Sequence, residues 1–214
     1  MFHSRSIRVA LAILLVGAGC RPPRIAPLEG ARVAGVAIPI PAAPTGHRKL
    51  IFTWELRDGE LVARGDGVAR IAYPDSVRLD FFLGGGFGGG AAVLIGDSLQ
   101  APAPDAARRL IPPRPLLWAA LGRLDVPTSR DTTIRVDAGT LRADIGTPVN
   151  WRVTFRGDSL VRLERVDGGR LQEWVNRGAG GTVQYRNESA RRSLSLVIQR
   201  TDAVAPFDPS IWSL

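Results

Sequence analysis

The stretch Val77-Arg78-Leu79-Asp80-Phe81-Phe82-Leu83-Gly84-Gly85-Gly86-Phe87-Gly88-Gly89-Gly90-Ala91-Ala92-Val93-Leu94-Ile95 decides how this chain is read. Apolar residues alternate on the way in, and a β-compatible apolar run leads out. A period of two puts Val77, Leu79 and Phe81 on one face of a strand. Glycine turns a backbone at no steric cost, so the simplest geometry is two antiparallel strands joined by a glycine loop with Phe87 at its tip. A ring on so pliable a loop gains little from its own fold. Burying it in a membrane or a greasy partner is worth about 2 kcal/mol. The plainer alternative is a flexible connector with Phe87 folded back on the sheet. Gly84, Gly86 and Gly89 also match a dinucleotide fingerprint, but that motif needs a strand–turn–helix context and no helix-length segment follows before Pro102 and Pro104.

On either side of this hairpin the same period recurs. Leu50, Phe52, Trp54 and Leu56 alternate with Ile51, Thr53, Glu55 and Arg57, and Asp58-Gly59 is a turn pair. Leu61 to Tyr73 carries the alternation back to Pro74-Asp75, and Gly96-Asp97 turns the chain after Ile95. Further on, Ile134/Val136, Leu141/Ala143/Ile145, Trp151/Val153/Phe155, Val161/Leu163, Val183/Tyr185 and Leu194/Leu196/Ile198 all alternate.

Between the two sets lies a segment of a different kind. Ala103 to Ile111 and Pro115 to Gly122 have helical composition, with Pro115 suited to a first helical position and Gly122 to a C-terminal cap. Leu117, Trp118 and Leu121 would form an apolar stripe that needs a greasy surface to lie on. The class expected is therefore mainly β with a helical insert (α+β): a curved antiparallel sheet forming a half-barrel closed by short helices. Phe52, Trp54, Leu79, Phe81, Trp118, Leu121, Trp151 and Phe155 are expected to face its inside, either as an ordinary packed core or as the lining of a cavity for an acyl chain.

The amino terminus reads as an export signal. Arg5 and Arg8 precede the apolar run Val9 to Val16, and Gly17-Ala18-Gly19 leads to Cys20. The run is shorter than the roughly 20 residues of a membrane-spanning helix. Cys20 is the single cysteine, which excludes an intramolecular disulfide framework or a multi-cysteine metal site. The segment resembles a bacterial lipoprotein signal, and that resemblance implies that 1–19 is removed and Cys20 is lipidated. Arg21 after the cysteine, by the sorting rules of Gram-negative bacteria, implies the periplasmic face of the outer membrane. Residues 20–47 then read as a lipidated N-terminus and flexible tether, with one short helical turn expected near Leu28 to Val36, and 48–214 as the folded domain.

The net charge is +8, and +6 without Arg5 and Arg8. The arginines are scattered beside Asp and Glu and form no block, so no nucleic-acid partner is expected. After the signal, His47 is the one histidine, which leaves no base for a Ser–His–Asp or Cys–His arrangement and no histidine-rich metal site. A hydrolytic pair such as Glu164 and Glu173 has no support, because such carboxylates alternate with arginine on expected solvent faces. No enzyme activity, cofactor or metal is expected.

Ser76 to Leu83 with the following loop, and Ile111-Pro112-Pro113-Arg114-Pro115-Leu116-Leu117-Trp118-Ala119-Ala120-Leu121-Gly122, carry a family resemblance. Lipidated cysteine, strands, an apolar-tipped loop, a proline-led helix and further strands follow in the order of the LolA/LolB superfamily, which sorts lipoproteins to the outer membrane. The resemblance implies a half-barrel that binds lipoprotein acyl chains, a periplasmic LolA-like carrier as partner, and an exposed apolar loop residue needed for membrane insertion, a place that Phe87 occupies. The competing reading is a structural or interaction lipoprotein with a packed core and no lipid ligand. Cavity volume separates the two.

Overall fold

The computed structural model describes residues 21–39, 45–85, 88–103, 109–127 and 129–214. Cys20, Phe87 and residues 1–19, read as an export signal, lie outside them. The chain forms β1 (Ala31–Arg32), β2 (His47–Asp58), β3 (Leu61–Ala72), β4 (Ser76–Leu83), β5 (Gly89–Ile95) and β6 (Ser98–Gln100). Helix α1 (Arg114–Ala120) follows, then β7 (Thr132–Asp137), β8 (Thr140–Ile145), β9 (Trp151–Arg156), β10 (Ser159–Asp167), β11 (Arg170–Arg177), β12 (Thr182–Asn187) and β13 (Arg192–Val204). All belong to one 13-stranded sheet in the order β1-β7-β8-β9-β10-β11-β12-β13-β2-β3-β4-β5-β6. The pairs are antiparallel, as expected from the short turns.

The sheet does not close. β1 and β6 are its edges and do not pair with each other. Bulges at Ile198/Arg200 in β13 and at Leu160/Arg162 and Arg165/Val166 in β10 bend its middle strands. Of the closure by short helices expected from the sequence, α1 lies across β10, β11 and β12, while most of the other expected segment, Ala103 to Ile111, lies outside the described residues. Seven residues of helix cannot span a sheet of this width. α1 does begin at Pro115 in its first turn and ends before Gly122, whose φ is +92°.

Alternation sorts the side chains as read. Leu50, Phe52, Trp54 and Leu56 of β2, Val77, Leu79 and Phe81 of β4, and Val153 and Phe155 of β9 are buried on one face, against which Leu116 to Ala120 pack. The outer face carries ion pairs, among them Arg70 across to Asp80, Arg78 along β4 to the same Asp80, and Arg152 across to Asp144 at 2.7 Å.

Two glycines let the aromatic side chains lie down. Phe52 pairs with Gly67 and Trp54 with Gly65 in the β2–β3 register, and a Cβ at Gly67 would overlap the Phe52 ring. At Gly65 a Cβ would overlap the Phe82 carbonyl oxygen, because β4 crosses there on its way into the glycine turn, where Gly84 N donates to Arg64 O at 2.9 Å. Gly65→Ala is therefore expected to push the end of β4 away and to cost about 1–3 kcal/mol, read as a lower urea midpoint at unchanged m-value. A midpoint equal to the parent's would show that the crossing can relax freely.

The stretch read as a tether is laid along the sheet. Ile25 N donates to Gly169 O at 3.0 Å and Leu171 N to Pro23 O at 2.8 Å, while Arg170, Arg152 and Arg135 donate to the carbonyls of Pro22, Ala26 and Gly30. In place of a helical turn near Leu28 to Val36 there is β1, paired with β7. Proline removes backbone donors and keeps the segment extended, so its carbonyls need outside partners, and guanidinium groups supply them.

Candidate functional site: an apolar cleft beside the glycine loop

Strand β3 runs away from the glycine-loop end and β4 returns to it, so the loop stands beside the β2–β3 turn. Here a cleft of about 310 Å³ opens. Trp54 and Phe81 line it from the sheet, Leu83 and Gly90 from either side of the glycine loop, and Leu110 and Ile111 from the segment leading to α1. Among the described residues no charged side chain lines it. Its one polar side-chain group, the Trp54 indole N–H, is already spent on Asp66 O at 2.9 Å. Gly90 pairs with Phe81 and shares its face with the buried Ala92 and Leu94, yet a Cβ built on it meets nothing within 4 Å. The cleft occupies that space.

Phe81 stands edge-on to both Phe52 (centroids 5.9 Å, 72°) and Trp54 (5.6 Å, 90°), favourable geometries for aromatic pairs. Behind this trio is a second void of about 40 Å³, lined by Phe52, Leu79, Phe81 and Leu121 among others. Phe81 and Leu110 border both spaces. The expected cavity residues thus divide. Trp54 and Phe81 reach the cleft, and Phe52, Leu79, Phe81 and Leu121 reach the inner void. Trp118 and Phe155 are fully buried and line neither, and Trp151 is half-buried against the core. Leu83, Gly90, Leu110 and Ile111 were not singled out by sequence. Counting alternation back from Leu94 through Ala92 finds Gly90, whereas Leu110 and Ile111 carry no local signal.

A polar row crosses the inner face at the same end. Arg165 pairs in register with Glu173, Glu173 with Asn187, Asn187 with Arg192, and Arg192 with Asp58. Glu173, expected on a solvent face, is 3% exposed. Its carboxylate accepts from Arg165 Nε at 2.7 Å, Tyr185 Oη at 2.7 Å and Asn187 Nδ2 at 2.8 Å. Burial and the bond to Glu173 push the Tyr185 phenol well above the usual tyrosine range. A pocket of about 250 Å³ adjoins this row and meets the cleft at Ile111. Glu164 faces away, in register with Trp174 and bound to Arg162 at 2.7 Å, so it forms no carboxylate pair with Glu173. With three donors on one carboxylate, Glu173 acts as a structural acceptor.

No family model matches the chain, and no curated protein does. Among solved structures, the chain is similar to a LolA-superfamily protein. That protein, from Nitrosomonas europaea, is 10% identical with a TM-score of 0.47, over 80% of this chain and 91% of the other. An outer membrane lipoprotein-sorting protein domain from Vibrio parahaemolyticus is 8% identical at a TM-score of 0.43, over 78% and 89% of the two chains. A DUF1329 family protein from Desulfovibrio piger is 7% identical at a TM-score of 0.40, over 79% and 90%.

Proposed function

We propose that the chain is a lipid-anchored outer-membrane lipoprotein, held by Cys20, that takes acyl chains into the cleft beside the glycine loop and helps insert or localise lipoproteins in the outer membrane. The single observation that supports this best is an open cleft with no charged group in its lining among the described residues, next to a loop in which Phe82 to Ile95 contains no charged residue. Its volume of about 310 Å³ falls at the lower end of ligand pockets, about 300–1,000 Å³. An acyl chain moving between a carrier, this cleft and a bilayer passes between apolar surroundings, so little free energy separates the stations and no nucleotide is required. A periplasmic carrier would deliver the chain, and Phe87 would enter the membrane on its release. The protein is read as a binder and not as a catalyst.

The experiment is titration of the mature chain, carrying Cys20→Ala, with a fluorescent diacyl lipopeptide, beside a liposome-delivery assay. Saturable binding is expected. Phe87→Glu is expected to keep that binding and lose delivery. A flat titration would favour the alternative of an interaction lipoprotein that binds no lipid.

A further inference from the structure

At the other end of the inner face, where β3 turns into β4, three arginines gather around Tyr73. Arg48 alternates with Leu50 and Phe52 along β2, and Arg177 with Glu173 and Val175 along β11, so both belong to the face that carries the core. Tyr73 lies 6.3 Å from the Trp118 ring, and the Arg123 guanidinium sits 4.9 Å over that same ring. Arg177 closes the group, for a Cβ on Gly122 would stand 2.7 Å from its Nη1. The charges of all three arginines act on Tyr73.

This cluster is under-compensated. Asp125 meets Arg123 at 3.3 Å but is shared with Arg114 at 3.1 Å. Among the described residues neither Arg48 nor Arg177 has a carboxylate partner. Arg177 reaches only the Leu160 carbonyl, at 3.4 Å, and its buried Nε has no acceptor. The buried Trp118 indole N–H also has none. Burial lowers the Arg177 pKa with no carboxylate beside it to offset the loss. Buried charges are normally paired, because an unpaired one carries its full desolvation cost. Of the three arginines, Arg177 alone lines a cavity of about 230 Å³, which Ser159 and Thr182 also border.

We infer that this end of the inner face is a binding site for a phosphoryl group, held by Arg177 and Arg48 with Arg123. Three guanidinium groups against one shared carboxylate leave an excess of two positive charges, the charge that a phosphate dianion neutralises. The guanidinium fork also matches phosphate oxygens in pairs. The group can arrive as free phosphate or as the phosphomonoester headgroup of a phosphatidate lipid. The site lies at the far end of the strands from the acyl cleft, so it stands or falls apart from the function proposed above.

The test is calorimetric titration of the mature chain with inorganic phosphate and with glycerol 3-phosphate, together with thermal unfolding in phosphate and in chloride of equal ionic strength. Saturable binding is expected, weakened at least about tenfold in both Arg177→Met and Arg48→Gln, since each removes charge-assisted hydrogen bonds. Arg177→Met is further expected to melt higher than the parent in chloride, because it removes an unpaired charge, and to gain nothing from phosphate. Tighter binding of glycerol 3-phosphate assigns the site to a headgroup, and equal binding assigns it to free phosphate. No saturable binding of either probe, or binding that both variants leave unchanged, overturns the inference. The half-exposed Arg48 keeps the test open if Arg177→Met fails to fold.

Discussion

A Gly90→Phe variant is expected to unfold at the parent's denaturant midpoint and to lose acyl-chain binding by about two orders of magnitude or more. Both halves follow from the same geometry. Among the described glycines Gly90 alone combines a φ outside the left-handed region with nothing within 4 Å of its would-be Cβ, so a Cβ there meets neither backbone strain nor a neighbouring atom. It shares the inner face with Ala92 and Leu94, so the new ring enters the cleft between Trp54, Phe81 and Ile111. Each methylene excluded forfeits about 0.8 kcal/mol, and four displaced methylenes amount to roughly 3 kcal/mol, more than a hundredfold in affinity. Fluorescent-lipopeptide titration and urea unfolding read the two halves separately. A variant that binds as tightly as the parent would place the acyl chain elsewhere.

The largest stability effect is expected at Glu173. Glu173→Ala removes the acceptor of three donors at once, and two of them, the Tyr185 hydroxyl and the Asn187 amide, face the interior. Orphaned buried donors cost about 1–3 kcal/mol each, and the half-exposed Arg165 returns to solvent, so a loss of about 2–5 kcal/mol is expected. Adding Tyr185→Phe to Glu173→Ala should recover part of that loss, because it removes an orphan. If the double variant is less stable than the single one by the full cost of Tyr185→Phe in the parent, the hydroxyl was not orphaned. The same contact sets an alkaline limit. The phenol of Tyr185 is held protonated in the folded state, above its pKa in the unfolded chain. Its contribution is complete below pH 10, the ordinary tyrosine value, and fades as pH rises from there toward the folded pKa. Tyr185→Phe should flatten that part of the stability–pH curve.

How much of this was legible depends on the range of the interaction. The burial of Phe52, Trp54, Leu79 and Phe81 follows from alternation alone, since a period of two assigns a face without knowledge of the neighbour. Pro115 and Gly122 bracket α1 for equally local reasons, a missing donor at one end and a left-handed backbone at the other. The turns at Asp58-Gly59 and Gly96-Asp97 are local as well. Glu173 shows the limit. The alternation read from the sequence passes over β11, and the row that buries Glu173 is assembled from β10, β12, β13 and β2.

By itself, then, the sequence determined most of the strands, though not β1 or β11, with their buried faces, the short helix and the apolar character of the glycine hairpin. The tertiary structure decided that β13 docks beside β2 and β1 beside β7, that the sheet stays open, and that the stretch read as a tether is bound by arginines of the sheet. It also decided that Leu110 and Ile111 wall the cleft, while Trp118 and Phe155 are sealed in the core. The physical reason is that periodicity and turn chemistry act within a few residues. A cavity, by contrast, is what remains after distant segments have packed, and its lining is written at no one place in the chain.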